Sequence, residues 1–193
     1  MVAGAACLAT TVVLLLVLRG TGAPADDSPE AGFARDMATH HAQAAEMGFV
    51  IRDASDDDRL RVLAYDIIVT QTAQRGVFMG WLQQWGLPQA SAQPRMAWMA
   101  GHAPGAPFSG LMPGMASDAE RARLRQASGR EAEILFLQLM IRHHEGGVEM
   151  ARAILAQSDR DELVTMARSI ESTQAGEIAV MRELLAERGS QRP

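Results

Sequence analysis

Two pairs of adjacent histidines carry the clearest chemical signal in this chain. His40-His41 and His143-His144 each follow a methionine by three residues. Neutral imidazole is the commonest protein ligand for metal ions, and thioether sulfur favours soft ions such as Cu(I). The doubled pattern therefore predicts a metal site with copper as the favoured ion. Zinc or another divalent metal bound through the histidines alone stays open as an alternative.

The two motifs belong to a duplicated unit. A shift of 103 residues, from His40 to His143, also places Phe33 on Phe136 and Leu82 on Leu185 without a gap. A repeated unit of this size must stack on its twin to bury a core. Within each copy apolar residues recur at helical spacing around a Ser/Asp turn, which indicates a helical hairpin. Nothing reads as a strand, so we expect an all-α four-helix bundle of two tandem hairpins.

The N-terminus carries an apolar run. Residues 2–18 are almost wholly apolar, and Ala23-Pro24-Ala25 resembles a signal-peptide cleavage site. We expect 1–25 to be a signal peptide or membrane anchor, or a normal signal peptide trimmed by a wrongly chosen start codon. Each alternative places the rest of the chain outside the cytoplasm. The remaining boundaries follow from composition: a linker at 26–32, and a bundle at 33–188 divided into hairpin 33–88, a Met-rich crossover at 89–116 and hairpin 117–188.

Composition excludes one class of partner. The net charge is −5, all 18 basic residues are arginine, and no basic run occurs. A nucleic-acid-binding protein needs a basic patch or stripe, so nucleic acid is excluded as a partner. The chain has one cysteine, Cys7, and therefore no internal disulfide.

The partner helices supply a matching polar layer. Apolar residues follow a four-three alternation that polar residues interrupt at Gln71 and Gln74 in the first copy, and at Gln174 and Glu177 in the second. In each hairpin, the polar pair lies as many residues after the turn as the histidine pair lies before it. The two pairs should therefore lie side by side at the same level of the bundle. Such side chains would fix the imidazole tautomers around a metal. The alternative is a hydrogen-bonded network that only sets helix register.

The predicted metal-binding residues form two groups. The main group comprises the four histidines, the two methionines one turn before them and two further along the same helices, namely Met37, His40, His41, Met47, Met140, His143, His144 and Met150. An accessory group in the crossover comprises Met96, Met99, His102, Met112 and Met115, which would suit transient Cu(I) capture. Methionine is also a common core filler, so each thioether has packing as an alternative role. For the crossover, that alternative is an apolar loop anchored by Trp98.

These motifs are similar to those of the DUF305 family. The resemblance rests on the paired Met-x-x-His-His motifs, the polar seam, the Trp81-Leu82 helix end and Met112-Pro-Gly-Met115, and it covers roughly 33–185. It implies a ferritin-like four-helix bundle, secreted or membrane-anchored, with no established enzymatic activity and with copper binding or tolerance in some members. The first copy departs from the second at Asp36, where the second has Leu139, and at Ala42-Gln43.

Three functions follow from these observations. The first is an extracytoplasmic metal-binding protein that buffers or carries copper. The second is a structural or interaction bundle whose polar layer specifies helix pairing. The third, a redox enzyme, has the least support, because the sequence offers no nucleophile–base pair or cofactor motif. A di-iron carboxylate site is excluded, since the seam contributes one carboxylate, Glu177.

Overall fold

The computed structural model of this chain describes residues 22–100 and 110–190. Within these residues the protein is all-helical and contains no strand, as predicted. Its helices are α1 (Pro29–Ala54), α2 (Asp58–Gln84), a short α3 (Asp118–Gln126), α4 (Gly129–Leu155) and α5 (Asp161–Ser190), with a 3₁₀ turn at Ala97–Met99. The four long helices form the two predicted hairpins.

The predicted signal peptide or anchor falls mainly in residues 1–21, which lie outside the described residues. Across residues 22–100 and 110–190, no helix combines the length and the apolar character that a membrane span requires.

The first helix begins earlier than the sequence predicted. Ser28 is its N-cap, and the Ser28 hydroxyl accepts a hydrogen bond from the Ala31 N–H. Pro29 occupies the first turn, where its fixed φ suits a helix and its missing N–H costs nothing. The predicted linker at 26–32 is therefore helical from Pro29 onward. A capping box joins Ser117 and Glu120 at the start of α3.

The helices bury two separate apolar clusters. α1 packs on α2, α4 packs on α5, and the hairpins meet where α1 lies against α4. The first cluster includes Phe33 and Met37 before the first histidine pair and Met150 and Ile154 after the second. The second cluster includes Met47 and Ile51 after the first pair and Phe136 and Met140 before the second. α1 and α4 are therefore antiparallel, and both histidine pairs lie between the two clusters.

The crossover docks on α1 through a buried carboxylate. Asp36 Oδ2 accepts hydrogen bonds from the Met96 N–H at 2.8 Å and from the Trp98 Nε1–H at 3.0 Å. Gly32 makes room for the indole, because a Cβ at that position would lie 2.5 Å from Trp98 Cδ1. Asp36, which replaces the Leu139 of the second copy, therefore serves to hold the crossover.

We expect Asp36→Leu to lower the free energy of unfolding by about 2–6 kcal/mol, because two buried donors lose their acceptor at about 1–3 kcal/mol each. Urea unfolding followed by circular dichroism measures this change. Asp36→Asn keeps an acceptor oxygen of the same reach and is the matched control, with a smaller expected loss. Equal stability of the leucine variant and the unchanged protein would contradict this account of docking.

Candidate metal centre

The four predicted histidines form one buried layer, which we call the histidine layer. All four side chains are 0% exposed. His40 and His143 meet across the α1–α4 interface with their ring centroids 3.7 Å apart. His41 and His144 flank them, at centroid distances of 6.3 Å from His40 and 6.2 Å from His143. The two pairs converge in the interior at one level, as their equal distances from the hairpin turns predicted.

Three of the imidazoles have a fixed tautomer. Each places its Nε2 against an oxygen acceptor, and an oxygen with no hydrogen obliges the ring nitrogen to donate. The acceptors are Pro113 O for His40 at 3.0 Å, Gln74 Oε1 for His41 at 2.7 Å and Glu177 Oε2 for His144 at 2.7 Å. In its neutral form such a ring carries its proton on Nε2 and keeps the lone pair on Nδ1. This is the arrangement by which a neighbouring acceptor prepares a histidine for a metal ion.

The lone pairs of the layer have no protein partner. Nδ1 of all four histidines is buried without a hydrogen bond within residues 22–100 and 110–190, and so is Nε2 of His143. The side-chain amides of Gln71 and Gln174 are likewise buried and unpartnered. Unsatisfied buried polar groups are rare because each costs about 1–3 kcal/mol. A metal ion bound by neighbouring imidazoles would satisfy such lone pairs, so the chemistry of these donors fits a metal.

Burial keeps three of these imidazoles, His40, His41 and His143, neutral. It lowers the pKa of His40 to about 4 and that of His41 to about 3, where the neighbouring His40 adds a second lowering effect. It also lowers the pKa of His143 well below its ordinary value, with a further contribution from His40. Neutral imidazole is the metal-binding form, so these three rings are in that form at neutral pH.

The two halves of the layer are not equivalent. His41 donates to the neutral amide of Gln74, whereas His144 donates to the carboxylate of Glu177, whose side chain is 15% exposed. A carboxylate raises the basicity of the imidazole that it accepts from, and therefore its strength as a ligand. The two copies also differ at position 147, which is glycine where the first copy has Ala44. A Cβ at Gly147 would lie 2.3 Å from Gln174 Oε1, so glycine leaves the space that this amide occupies.

The four methionines predicted as ligands are buried on either side of the layer. Met37 and Met150 lie in the first apolar cluster, and Met47 and Met140 lie in the second. None is more than 1% exposed. Their neighbours in these clusters are apolar side chains, which is what packing requires, and a role as ligands stays a prediction.

The described members of the predicted accessory group all pack in or against the first apolar cluster. Met96, Met99 and Met112 are no more than 2% exposed and belong to the first apolar cluster, against which Met115 packs partly buried. His102 lies in 101–109, outside the described residues. The placement of the three buried methionines matches the alternative of an apolar loop packed around Trp98. Transient Cu(I) capture by this group stays a prediction.

Sequence reasoning missed the contact that the segment 112–116, which we call the strap, makes with the histidine layer. Its Pro113 carbonyl accepts from His40, and its Ala116 backbone exchanges two hydrogen bonds with the Gln43 amide. A backbone acceptor leaves no residue-type signal. The available signal was the divergence of Gln43 and Gly146, which occupy the same position of the two copies.

As placed, residues 22–100 and 110–190 contain no group of three or more His, Cys, Asp or Glu side chains spaced to hold one metal ion. A single ion shared by three imidazoles would therefore require ring rotation. Thioether ligands beside two imidazoles would be the other way to complete a coordination sphere.

Comparison with known proteins agrees with the fold. The model of the domain of unknown function DUF305 matches residues 30–185. A DUF305 protein from Streptomyces coelicolor, described as secreted, is 46% identical over 88% of this chain and 99% of its own, with a TM-score of 0.79. A DUF305 fragment from Deinococcus radiodurans is 36% identical over 82% of this chain and 96% of its own, with a TM-score of 0.69.

CopM in its Cu(II)-bound form is a more distant structural neighbour. It is 26% identical over 83% of this chain and 97% of its own, with a TM-score of 0.63. A search of curated proteins gives no significant match. Because the family model covers most of the chain, the protein belongs to the DUF305 family.

Proposed function

We propose that this DUF305 protein binds copper outside the cytoplasm, as a buffer or carrier, through the histidine layer. The observation that carries the proposal is the set of three imidazoles held as Nε2–H tautomers with unpartnered, buried Nδ1 atoms. The Cu(II)-bound state of CopM supports the choice of metal. The Streptomyces coelicolor relative, described as secreted, supports the extracytoplasmic location.

The chemistry of the donors favours copper over harder ions. The layer offers imidazoles, methionines are buried in the apolar clusters on either side of it, and Glu177 is the only carboxylate hydrogen-bonded to a ring of the layer in the described residues. Imidazole and thioether suit Cu(I), whereas magnesium, calcium and manganese prefer oxygen ligands. Zinc bound by the histidines alone is the remaining alternative.

An anaerobic titration of the purified protein with Cu(I), in competition with a chromophoric chelator, tests the proposal. We expect the protein to remove Cu(I) from the chelator and the ring ¹⁵N signals of the histidines to shift as copper is added. Parallel titrations with Cu(II) and Zn(II) identify the preferred ion. Undisturbed histidine signals with no competition for any of these ions would contradict the proposal.

A structural role for the layer is the second candidate. The three hydrogen bonds to Gln74, Glu177 and Pro113 favour it, because they fix the register of each hairpin and the position of the strap without any metal. This candidate predicts that the melting temperature is the same with and without copper. Proposed copper binding predicts a higher melting temperature that rises with the concentration of free copper.

Exchanging the twin acceptors gives a further prediction. We expect Glu177→Gln to weaken Cu(I) binding by about tenfold or more, because His144 loses its carboxylate partner. Gln74→Glu should strengthen binding, since His41 gains one. Both substitutions preserve side-chain length and hydrogen-bond reach. The competitive Cu(I) titration measures both variants, and unchanged affinity in each would show that these acceptors do not act on a bound metal.

A further inference from the structure

We propose that Gln43 and Gly146, which lie outside the histidine layer, are positioning residues that determine which ring nitrogen of His40 is available to a ligand. They act through the strap, whose Pro113 carbonyl accepts the His40 Nε2–H. The inference deepens the proposed copper function and rests on it.

Gln43 holds one end of the strap. Its side-chain Nε2 donates to Ala116 O at 2.9 Å, and its Oε1 accepts from the Ala116 N–H at 2.6 Å. The Gln43 side chain is buried, and both of its polar atoms are satisfied by this one backbone position. This double hydrogen bond fixes the distance between the Ala116 backbone and α1. Ala116 lies three residues after Pro113, whose carbonyl accepts from His40.

Gly146 lets the strap approach α4. A Cβ at Gly146 would lie 2.1 Å from Pro113 O, and a Cβ at Gly114 would lie 2.2 Å from Arg142 O. Gly114 also has a φ of +73°, a conformation that favours glycine. These contacts are with backbone atoms, which cannot move aside as a flexible side chain can. The Pro113 carbonyl therefore occupies space that only glycine at position 146 leaves open.

The strap acts on one of two equivalent rings. His40 and His143 are twins in the duplication, yet the strap supplies an acceptor to Nε2 of His40, whereas no hydrogen bond in the described residues joins a ring nitrogen of His143 to the strap. Without the Pro113 carbonyl, His40 would gain access to the Nδ1–H tautomer as well. In that tautomer Nδ1 has no lone pair and cannot bind a metal.

Long-range ¹H–¹⁵N correlation spectra of the metal-free protein test the inference. We expect His40, His41 and His144 in the unchanged protein to be Nε2–H tautomers. Gly146→Ala should convert His40 alone to a mixture of tautomers, because the added methyl displaces Pro113. Gln43→Ala should have the same effect by releasing Ala116, and it serves as the second variant if Gly146→Ala does not fold. Gly80→Ala, at an exposed helical glycine with open space around it, is the matched control.

In these spectra, either of two results would overturn the inference: an Nδ1–H tautomer at His40 in the unchanged protein, or an unaltered His40 tautomer in folded Gly146→Ala or Gln43→Ala. A copper titration separates this outcome from failure of the proposed function. We expect Cu(I) binding to be about tenfold weaker in the two strap variants than in the unchanged protein. The Gly80→Ala control should bind Cu(I) as tightly as the unchanged protein. A changed tautomer with unchanged affinity would refute a positioning role toward the metal. Absence of copper binding in the unchanged protein would instead refute the proposed function.

Discussion

Replacement of His143 and His144 together by alanine should weaken Cu(I) binding by at least about 100-fold. Loss of a hydrogen-bonding neighbour of a metal ligand costs about 10–100-fold in affinity, so loss of two ligands must cost more. The substitution removes the ring that contacts His40 at a centroid distance of 3.7 Å and the ring that donates to Glu177. Competitive titration with a Cu(I) chelator measures the effect.

A second pair of substitutions at the same two positions preserves packing. His143→Gln with His144→Gln keeps polar side chains of comparable volume but supplies no imidazole, so it separates loss of a ligand from loss of the fold. Glu149→Gln changes an exposed carboxylate on the outer side of the same helix and is the matched control. Cu(I) affinity equal to that of the unchanged protein in a folded double variant would eliminate the histidine layer as the copper site.

The fold was predictable because its determinants are local and repeated. The spacing of apolar residues, the Ser/Asp turns and the shift of 103 residues between His40 and His143 specify two helical hairpins and their mutual level. The start of α1 was not predicted, since it depends on the Ser28 cap and on Pro29, which resemble a linker in composition. The docking of the crossover depends on Asp36, whose partners lie 60 and 62 residues away.

The level of the polar layer was predictable, but its hydrogen-bonded pairs and its asymmetry were not. Counting from each turn places each histidine pair level with the polar pair of its partner helix. Which members meet, His41 with Gln74 and His144 with Glu177 at 2.7 Å, is seen only in the structure. The acceptor of His40 is a backbone carbonyl, which every residue type provides, so no pattern of side chains indicates it. The divergence of the twins Gln43 and Gly146 becomes interpretable only when the strap lies between them.

Acidification should unfold the metal-free protein steeply between about pH 6.5 and about pH 4.5. Unfolded histidine has a pKa near 6.5, whereas burial lowers the pKa of His40 to about 4 and of His41 to about 3. The pKa of His143 is also well below its ordinary value. In this window the unfolded chain binds protons that the folded chain excludes, so stability falls as pH falls. Three such groups give a limiting slope of about 4 kcal/mol per pH unit.

Urea unfolding at successive pH values measures this slope. The lowered pKa of Glu120, about 2 because of its hydrogen bonds to Arg142 and Ser117, produces a loss of stability only as pH falls below about 4.5. It therefore does not account for the higher window. His143→Gln should reduce the slope by about one third, since one of the three titrating groups is gone. A stability that does not change between about pH 6.5 and about pH 4.5 would contradict burial of neutral imidazoles.

Bound copper should move the acid transition to lower pH. A ligand that binds only the folded state adds RT ln(1 + [L]/Kd) to stability, which is about 2.7 kcal/mol at 100 times the Kd. Protons compete for the same lone pairs, but the lowered pKa values of His40 and His41 delay that competition until the pH approaches 4. The pH at which half of the protein is unfolded by acid should therefore become lower as copper is added. The His143→Ala/His144→Ala variant, which lacks two of the proposed ligands, should show no such shift.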